Sequence, residues 1–291
     1  MGKDFAEADS ELMALFDKAN AVLGFDLKKV CFEGPVEALT KSNVCQPAIF
    51  VMSMAAYRAF QKKCAVAFDC AAGLSLGEWG ALCAAGVLDF DSTLKVLEAR
   101  GRFMQEACEL QPSGMIAIVG ASEEQLKTLC ESTGCTVANV NSSAQQVLSG
   151  TLDAIAAAAV KAKELGVRRA LPLKTAGGFP SKFMNPAREK LAPVLDEMSF
   201  SVPKIPVLSN VTGRPHASDP GAIKAAMLEQ VTSTTNWAAD VACAKELGCG
   251  RFVEFGPGKV LSGLVKKIDA ELETANVADL ATLDAAAGLF A

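Results

Sequence analysis

The sequence has a single histidine, His216, among 291 residues. A metal site built on two imidazoles is therefore excluded, and catalytic work cannot be shared among several histidines. The ten cysteines form no C-x-x-C pair, which removes support for zinc-ribbon and thioredoxin-type readings. Most lie in apolar surroundings, as Cys83 does in ALCAAGV, and read as free buried thiols of a reducing compartment. An excess of positive charge is missing too. Against 28 Lys+Arg stand 33 Asp+Glu, a net charge of −5, so no basic surplus marks a nucleic-acid binder. Long hydrophobic runs are absent, and the longest clean stretch, residues 48–56, is too short to span a bilayer. The opening MGKDFAEAD is acidic and has neither a signal-peptide core nor the Ser or Thr of a myristoylation signal.

Apolar residues at 51% and charged residues at 21% are enough to build a packed core, which argues against disorder. The length suits one large domain or two smaller ones. Leu12, Leu15, Phe16 and Ala19 share one helical face and predict a helix across residues 1–30. Residues 48–60 read as a buried helix, residues 66–72 as a buried strand, and the segment carrying Trp79, Leu82 and Cys83 as a helix. A further helix over residues 91–109 has Asp91 as its N-cap candidate. Residues 114–174 then read β-α-β-β-α-β, the order of a ferredoxin-like split motif. Strands alternating with helices elsewhere predict an α/β fold with a mostly parallel sheet covered on both faces. The expected division is a core made of residues 1–112 and 175–291, with 113–174 inserted as a small subdomain.

One motif carries chemistry. Gly73-Leu74-Ser75-Leu76-Gly77 fits G-x-S-x-G, follows a predicted strand and opens a predicted helix. That is the arrangement of a nucleophile elbow, with Ser75 as nucleophile and the Leu76 N–H as oxyanion donor. A plain glycine-rich turn from strand to helix explains the pattern equally well on these grounds.

The stretch GLSLGEWGALCAAGVLDFDSTLKVLEARGRFM resembles the malonyl-CoA:acyl carrier protein transacylases, including plastid and algal members. CQPAIF, VANVNSSAQQVLSG, IPVLSNVTG and FVEFGPGKVL extend the resemblance over nearly the whole chain in the family's order. It implies an α/β-hydrolase-like core with a ferredoxin-like insert and the active site between them. It also implies a ping-pong reaction in which serine takes malonyl from coenzyme A and passes it to the phosphopantetheine thiol of acyl carrier protein. In that reading Ser75 is the nucleophile and Arg100 pairs with the malonyl carboxylate, a task suited to a guanidinium fork. Gln46 and Met104 line the acyl pocket, Phe179 matches the malonyl-preferring form of its motif, and Asn139 and Asn141 form the subdomain wall.

Two departures stand beside these matches. The family's base is a histidine in a segment like G-A-F-H, whereas this chain reads Gly177-Gly178-Phe179-Pro180, and proline offers no side-chain acceptor. His216, in the polar loop GRPHASDP, reads as an exposed loop histidine rather than a substitute base. The family also opens with a buried strand ending in F-P-G-Q-G, whose glutamine N–H is a second oxyanion donor. This sequence starts at Met1-Gly2-Lys3 and reads as lacking that strand, as a truncated gene model would.

The first functional expectation is malonyl transfer in fatty-acid or polyketide synthesis, impaired by Pro180. The alternative is a non-catalytic relative that binds acyl carrier protein or acyl-CoA. A serine hydrolase comes third, because no Asp-Gly dipeptide supports a patatin-like dyad and His216 is the only late histidine. Arg168, Arg169, Lys174, Lys182, Lys266 and Lys267 are candidates for docking an acidic carrier protein, or a solvated surface. No metal and no bound cofactor are expected, malonyl-CoA being a substrate. Neither a nucleic acid nor a membrane is expected as partner. The chain is expected to be a monomer of the plastid stroma or cytoplasm.

Overall fold

Where the pattern over residues 1–30 predicts one helix, the structure, a computed structural model describing residues 1–290, has three. They are α1 (Lys3–Ala8), α2 (Ser10–Leu23) and α3 (Leu27–Glu33). Asp9 is extended, and its carboxylate accepts the Glu11 N–H, so it caps α2 instead of continuing α1. Gly24 takes φ 73° and its N–H closes on the Asn20 carbonyl, which ends α2. The face formed by Leu12, Leu15, Phe16 and Ala19 is buried as the spacing requires.

After the short α4 (Val36–Leu39), α5 (Ser42–Lys63) buries residues on almost every side, among them Phe50, Val51, Met52, Ala55 and Phe60. A helix apolar nearly all round belongs in the middle of a core. Next come α6 (Leu76–Ala84) and α7 (Phe90–Leu110). Asp89, not Asp91, caps α7: its carboxylate accepts the Ser92 N–H at 2.7 Å. The helices α5 and α7 meet at Gly101, where a Cβ would lie 2.3 Å from the Ser42 carbonyl oxygen. Only glycine permits that approach, and it brings Gln46 of α5 beside Arg100 of α7.

The small subdomain runs β1 (Ser113–Val119), α8 (Glu123–Thr133), β2 (Thr136–Ser142), β3 (Gln145–Thr151), α9 (Leu152–Glu164) and β4 (Arg169–Leu173). Its sheet is antiparallel throughout, in the order β2-β3-β1-β4. Side chains alternate across it. Ile116, Ile118 and Leu148 pack with Leu129, Ile155 and Ala158 of the two helices. Met115, Ala117 and Val147 turn the other way and meet Phe179. The period of two thus gives the sheet one face for its own core and one for the main body.

The chain continues through a 3₁₀ turn (Lys182–Met184), α10 (Asn185–Asp196), β5 (Leu208–Ser209), β6 (Arg214–Pro215), α11 (Pro220–Glu229) and α12 (Trp237–Glu246). It ends with β7 (Arg251–Phe255), α13 (Val260–Ile268), β8 (Glu273–Val277) and α14 (Leu280–Gly288). Here β7 and β8 pair in parallel, and Ala71 and Val207 form a single parallel bridge. Residues 66–72, expected as a strand, are held by one residue. The Ala71 N–H donates to the Pro206 carbonyl at 2.8 Å, and the Ala71 carbonyl accepts the Leu208 N–H at 2.9 Å. Opposite this segment, β7 has only β8 as a strand neighbour among the described residues. A cavity of about 770 Å³ lies between them, walled by Phe50 and Tyr57 of α5 and by Trp237 and Val241 of α12. The parallel ladder of the core is interrupted at this cavity, which is why residues 66–72 are extended without forming a regular strand.

Candidate active site

Ser75 stands between the extended segment and α6, at φ 53° and ψ −103°. Among the described residues no other non-glycine has positive φ. Such a conformation costs about 1–3 kcal/mol and persists only when its surroundings impose it. Two side chains do so here. The Ser75 N–H donates to Asn210 Oδ1 at 2.6 Å, and Gln230 Nε2 donates to the Ser75 carbonyl at 2.9 Å. Asn210 Nδ2 also donates to the Gly73 carbonyl at 2.8 Å, so one amide grips both sides of the turn. A Cβ on Gly73 would fall 2.0 Å from the Gly77 carbonyl carbon, which explains the glycine at that position. Gly77 and Glu78 turn their amides back to Leu74 and Ser75, while the Leu76 N–H at the head of α6 has no protein partner among the described residues. That N–H points the positive end of a helix toward the serine's reaction zone.

Arg100 donates from Nη2 to Ser75 Oγ at 2.9 Å and to Gln230 Oε1 at 3.2 Å. Its Nη1 donates to Gln46 Oε1 at 2.6 Å, and Gln46 Nε2 reaches the Met104 sulfur at 3.7 Å. Arg100 is 2% exposed, so it is far from the surface arginine that a helix position alone would suggest. Burial lowers its pKa to about 10, and the nearby Glu78 charge works in the opposite direction, so the group stays cationic at neutral pH. Its hydrogen-bond partners are all neutral, and Nε has none among the described residues. A buried cation without a bonded anion is costly; a ligand carboxylate would remove that cost.

Below the elbow lies a second group that sequence reasoning missed. Glu78 is fully buried. It accepts from Gln230 Nε2 at 2.5 Å and from the Asn210 N–H at 3.3 Å, and meets His216 Nε2 at 2.7 Å. His216 is thus not an exposed loop residue, for its side chain is 2% exposed. A carboxylate sealed in the core needs hydrogen-bonding partners, and the chain's one imidazole supplies one. No bond joins His216 to Ser75 Oγ among the described residues. Asp240 is also fully buried and accepts from Asn210 Nδ2 at 2.8 Å, and its Oδ1 has no partner among the described residues. Burial, reinforced by the Glu78 charge, pushes its pKa up to about 8, so it is protonated at neutral pH. The motif text held clues to these residues: Glu78 ends GLSLGE and Asn210 sits in IPVLSNVTG. Gln230 and Asp240 had no such signal, because only the fold brings them to residue 75.

The remaining expected residues line the subdomain side. Pro180 is buried, and its carbonyl accepts from Ser149 Oγ at 3.4 Å. Its ring contributes no acceptor, and among the described residues Ser75 Oγ bonds only to Arg100, which is a donor. Phe179 packs on Met115, Ala117, Ala138 and Val147. Asn139 is buried and bridges to Thr235, while the buried Oδ1 of Asn141 has no partner among the described residues. The structure therefore joins Ser75, Arg100, Gln46 and Met104 through hydrogen bonds and places Phe179, Pro180, Asn139 and Asn141 outside that bonded set. Among the described residues no cluster of His, Cys, Asp or Glu could hold a metal ion, and no helix is long and apolar enough to cross a membrane.

Comparison with known proteins extends this geometry. Residues 4–283 match the family model described as acyl transferase domain. The malonyl CoA-acyl carrier protein transacylase of Bacillus subtilis is 38% identical over 98% of this chain and 91% of its own length. The protein of the same name from Escherichia coli K12 is 37% identical over 87% of this chain and 83% of its length. Among solved structures, a malonyl-transacylase in complex with a type II polyketide acyl carrier protein superposes with a TM-score of 0.94 at 36% identity, covering 99% of this chain and 94% of that one. The malonyl-CoA:acyl carrier protein transacylase of Xanthomonas oryzae gives 0.95 at 32% identity, covering all of this chain and 94% of that one. The expected α/β architecture with its ferredoxin-like subdomain agrees with these structures.

Proposed function

The chain belongs to the acyl transferase domain family, and on that premise we propose that it transfers malonyl from coenzyme A to the phosphopantetheine thiol of an acyl carrier protein. The reaction serves fatty-acid or polyketide synthesis. The observation that carries this reading is the bond from buried, anion-free Arg100 to Ser75 Oγ. A cation at that position recognises an acyl group that itself ends in a carboxylate.

Ser75 Oγ attacks the thioester carbonyl carbon of malonyl-CoA. The developing oxyanion takes the Leu76 N–H, the C–S bond breaks and the coenzyme A thiolate leaves. Arg100 turns its Nη2 from Oγ to the distal carboxylate of the malonyl ester, still held through Gln46. Met104 and Phe179 bound the acyl chain, and Asn139 and Asn141 flank it from the subdomain. The carrier-protein thiol then attacks the ester and regenerates Ser75. No bound cofactor takes part, because coenzyme A enters as substrate. With Pro180 in the base position, the serine proton goes to water, and the first step lacks the ~10²–10⁴-fold contribution of a general base. The chain works as a monomer in the cytoplasm or a plastid stroma.

A second reading, binding without transfer, is favoured by Pro180 alone. In both readings the exposed Arg168, Arg169, Lys174, Lys182, Lys266 and Lys267 form the docking face for the acidic carrier protein. The test is incubation with malonyl-CoA and holo acyl carrier protein, with the carrier's mass as readout. Malonylated carrier in the parent and none with Ser75→Ala is the expected result. Carrier binding that charge reversal at the six basic positions weakens, with no transfer, would favour the second reading.

A further inference from the structure

Two thiols face each other across the interrupted core. Cys70 lies in the extended segment five residues before the nucleophile, and Cys249 lies in the turn between α12 and β7. Their sulfurs are 3.5 Å apart although 179 positions separate them in the chain. Both line the cavity of about 770 Å³ and neither is fully buried. Cys249 sits between the exposed Gly248 and Gly250.

From this juxtaposition we propose that Cys70 and Cys249 form a thiol–disulfide site, oxidised by small disulfides of the glutathione class. A disulfide needs its sulfurs about 2.05 Å apart, so they must close by about 1.5 Å. The backbone around Cys70 is suited to that movement, because the bridge at Ala71 is its only ladder pairing among the described residues. The step balances as an exchange. The Cys249 thiolate attacks one sulfur of the small disulfide and expels one thiolate, leaving a mixed disulfide on Cys249. The Cys70 thiolate then attacks Cys249 Sγ and expels the second. Two protein thiols are oxidised, one small disulfide is reduced to two thiols, and the two protein protons pass to the departing thiolates. Burial and the neighbouring Cys249 push the Cys70 thiol up to about 12, which makes the second attack the slow one. The cross-link ties the segment entering the elbow to the start of β7 and closes one end of the cavity.

The nearest competitor is Cys243, which packs in the same cluster as Cys70 and Cys249. Cys130 and Cys135 are a second neighbouring pair, in the small subdomain. The experiment incubates the full chain with glutathione disulfide, blocks free thiols with N-ethylmaleimide and reads intact mass and the peptide map. The expected result is a loss of two of the ten thiols, with a cross-linked peptide joining Cys70 to Cys249. Cys70→Ser and Cys249→Ser should each abolish it, and Cys243→Ser should not. Ten reactive thiols after treatment, a different cross-linked pair, or a glutathione adduct that persists on Cys249 would each overturn the proposal. None of these readouts depends on acyl transfer, so the outcome is separate from the fate of the proposed function.

Discussion

The backbone of Ser75 and its hydroxyl are furnished very differently. The backbone is held on both sides by side chains, Asn210 on the N–H and Gln230 on the carbonyl, and these rest on Glu78, His216 and Asp240. The hydroxyl has one hydrogen-bond partner among the described residues, a donor, and the position expected to supply a base carries Pro180. A nucleophile can therefore keep its strained geometry independently of the group that takes its proton. The buried network holds the strained backbone, and no member of it accepts a hydrogen bond from the hydroxyl among the described residues.

The largest expected effect breaks this asymmetry directly. Pro180→His should raise the rate of Ser75 acylation by about 10²–10⁴-fold, measured as the initial rate of adduct formation. An unchanged rate would mean that the residue 180 side chain cannot reach Oγ. Next comes the network. Glu78→Ala removes the buried carboxylate that pairs with His216 and Gln230, and should cost about 3–5 kcal/mol in denaturant unfolding. A wild-type midpoint would show that the network does not hold the elbow.

Arg100→Lys should lower the preference for malonyl-CoA over acetyl-CoA by about 10–100-fold, the worth of about one charged hydrogen bond. An equal loss for both substrates would assign Arg100 to the elbow rather than to the carboxylate. A separate effect concerns Asp240, whose pKa rises from 3.8 to about 8 on folding. The native state keeps this proton after the unfolded chain has lost it, so stability falls as pH rises from about 4 to about 8. Asp240→Asn mimics the protonated carboxyl and should flatten that slope; an unaltered pH dependence of unfolding would contradict the assignment.

The hydroxyl side of this comparison was the legible one. G-x-S-x-G after an apolar run marks a turn whose glycines and helix start have a local cause, and Ser75, Arg100, Gln46 and Pro180 stand in recognisable motifs. The supporting side was mostly hidden. His216 reads as a loop residue because its neighbours are polar, and only the burial of Glu78 138 residues away gives it a place. Gln230 is one glutamine near a helix end until α7 and α6 converge on it. In the fold, the β-α-β-β-α-β subdomain was readable from period and order. The breaks at Asp9 and Gly24 were not, because one apolar stripe can cross two caps. Residues 66–72 show the same limit, since apolar composition predicts an extended segment but not how many neighbours it pairs with.

The most direct test of the central claim is peptide mapping after brief exposure of the chain to malonyl-CoA, with Ser75→Ala and Pro180→His beside it. The account predicts a malonyl ester on Ser75 in the parent, more of it in Pro180→His and none in Ser75→Ala. A malonyl group that survives in Ser75→Ala, or no ester even in Pro180→His, would contradict it.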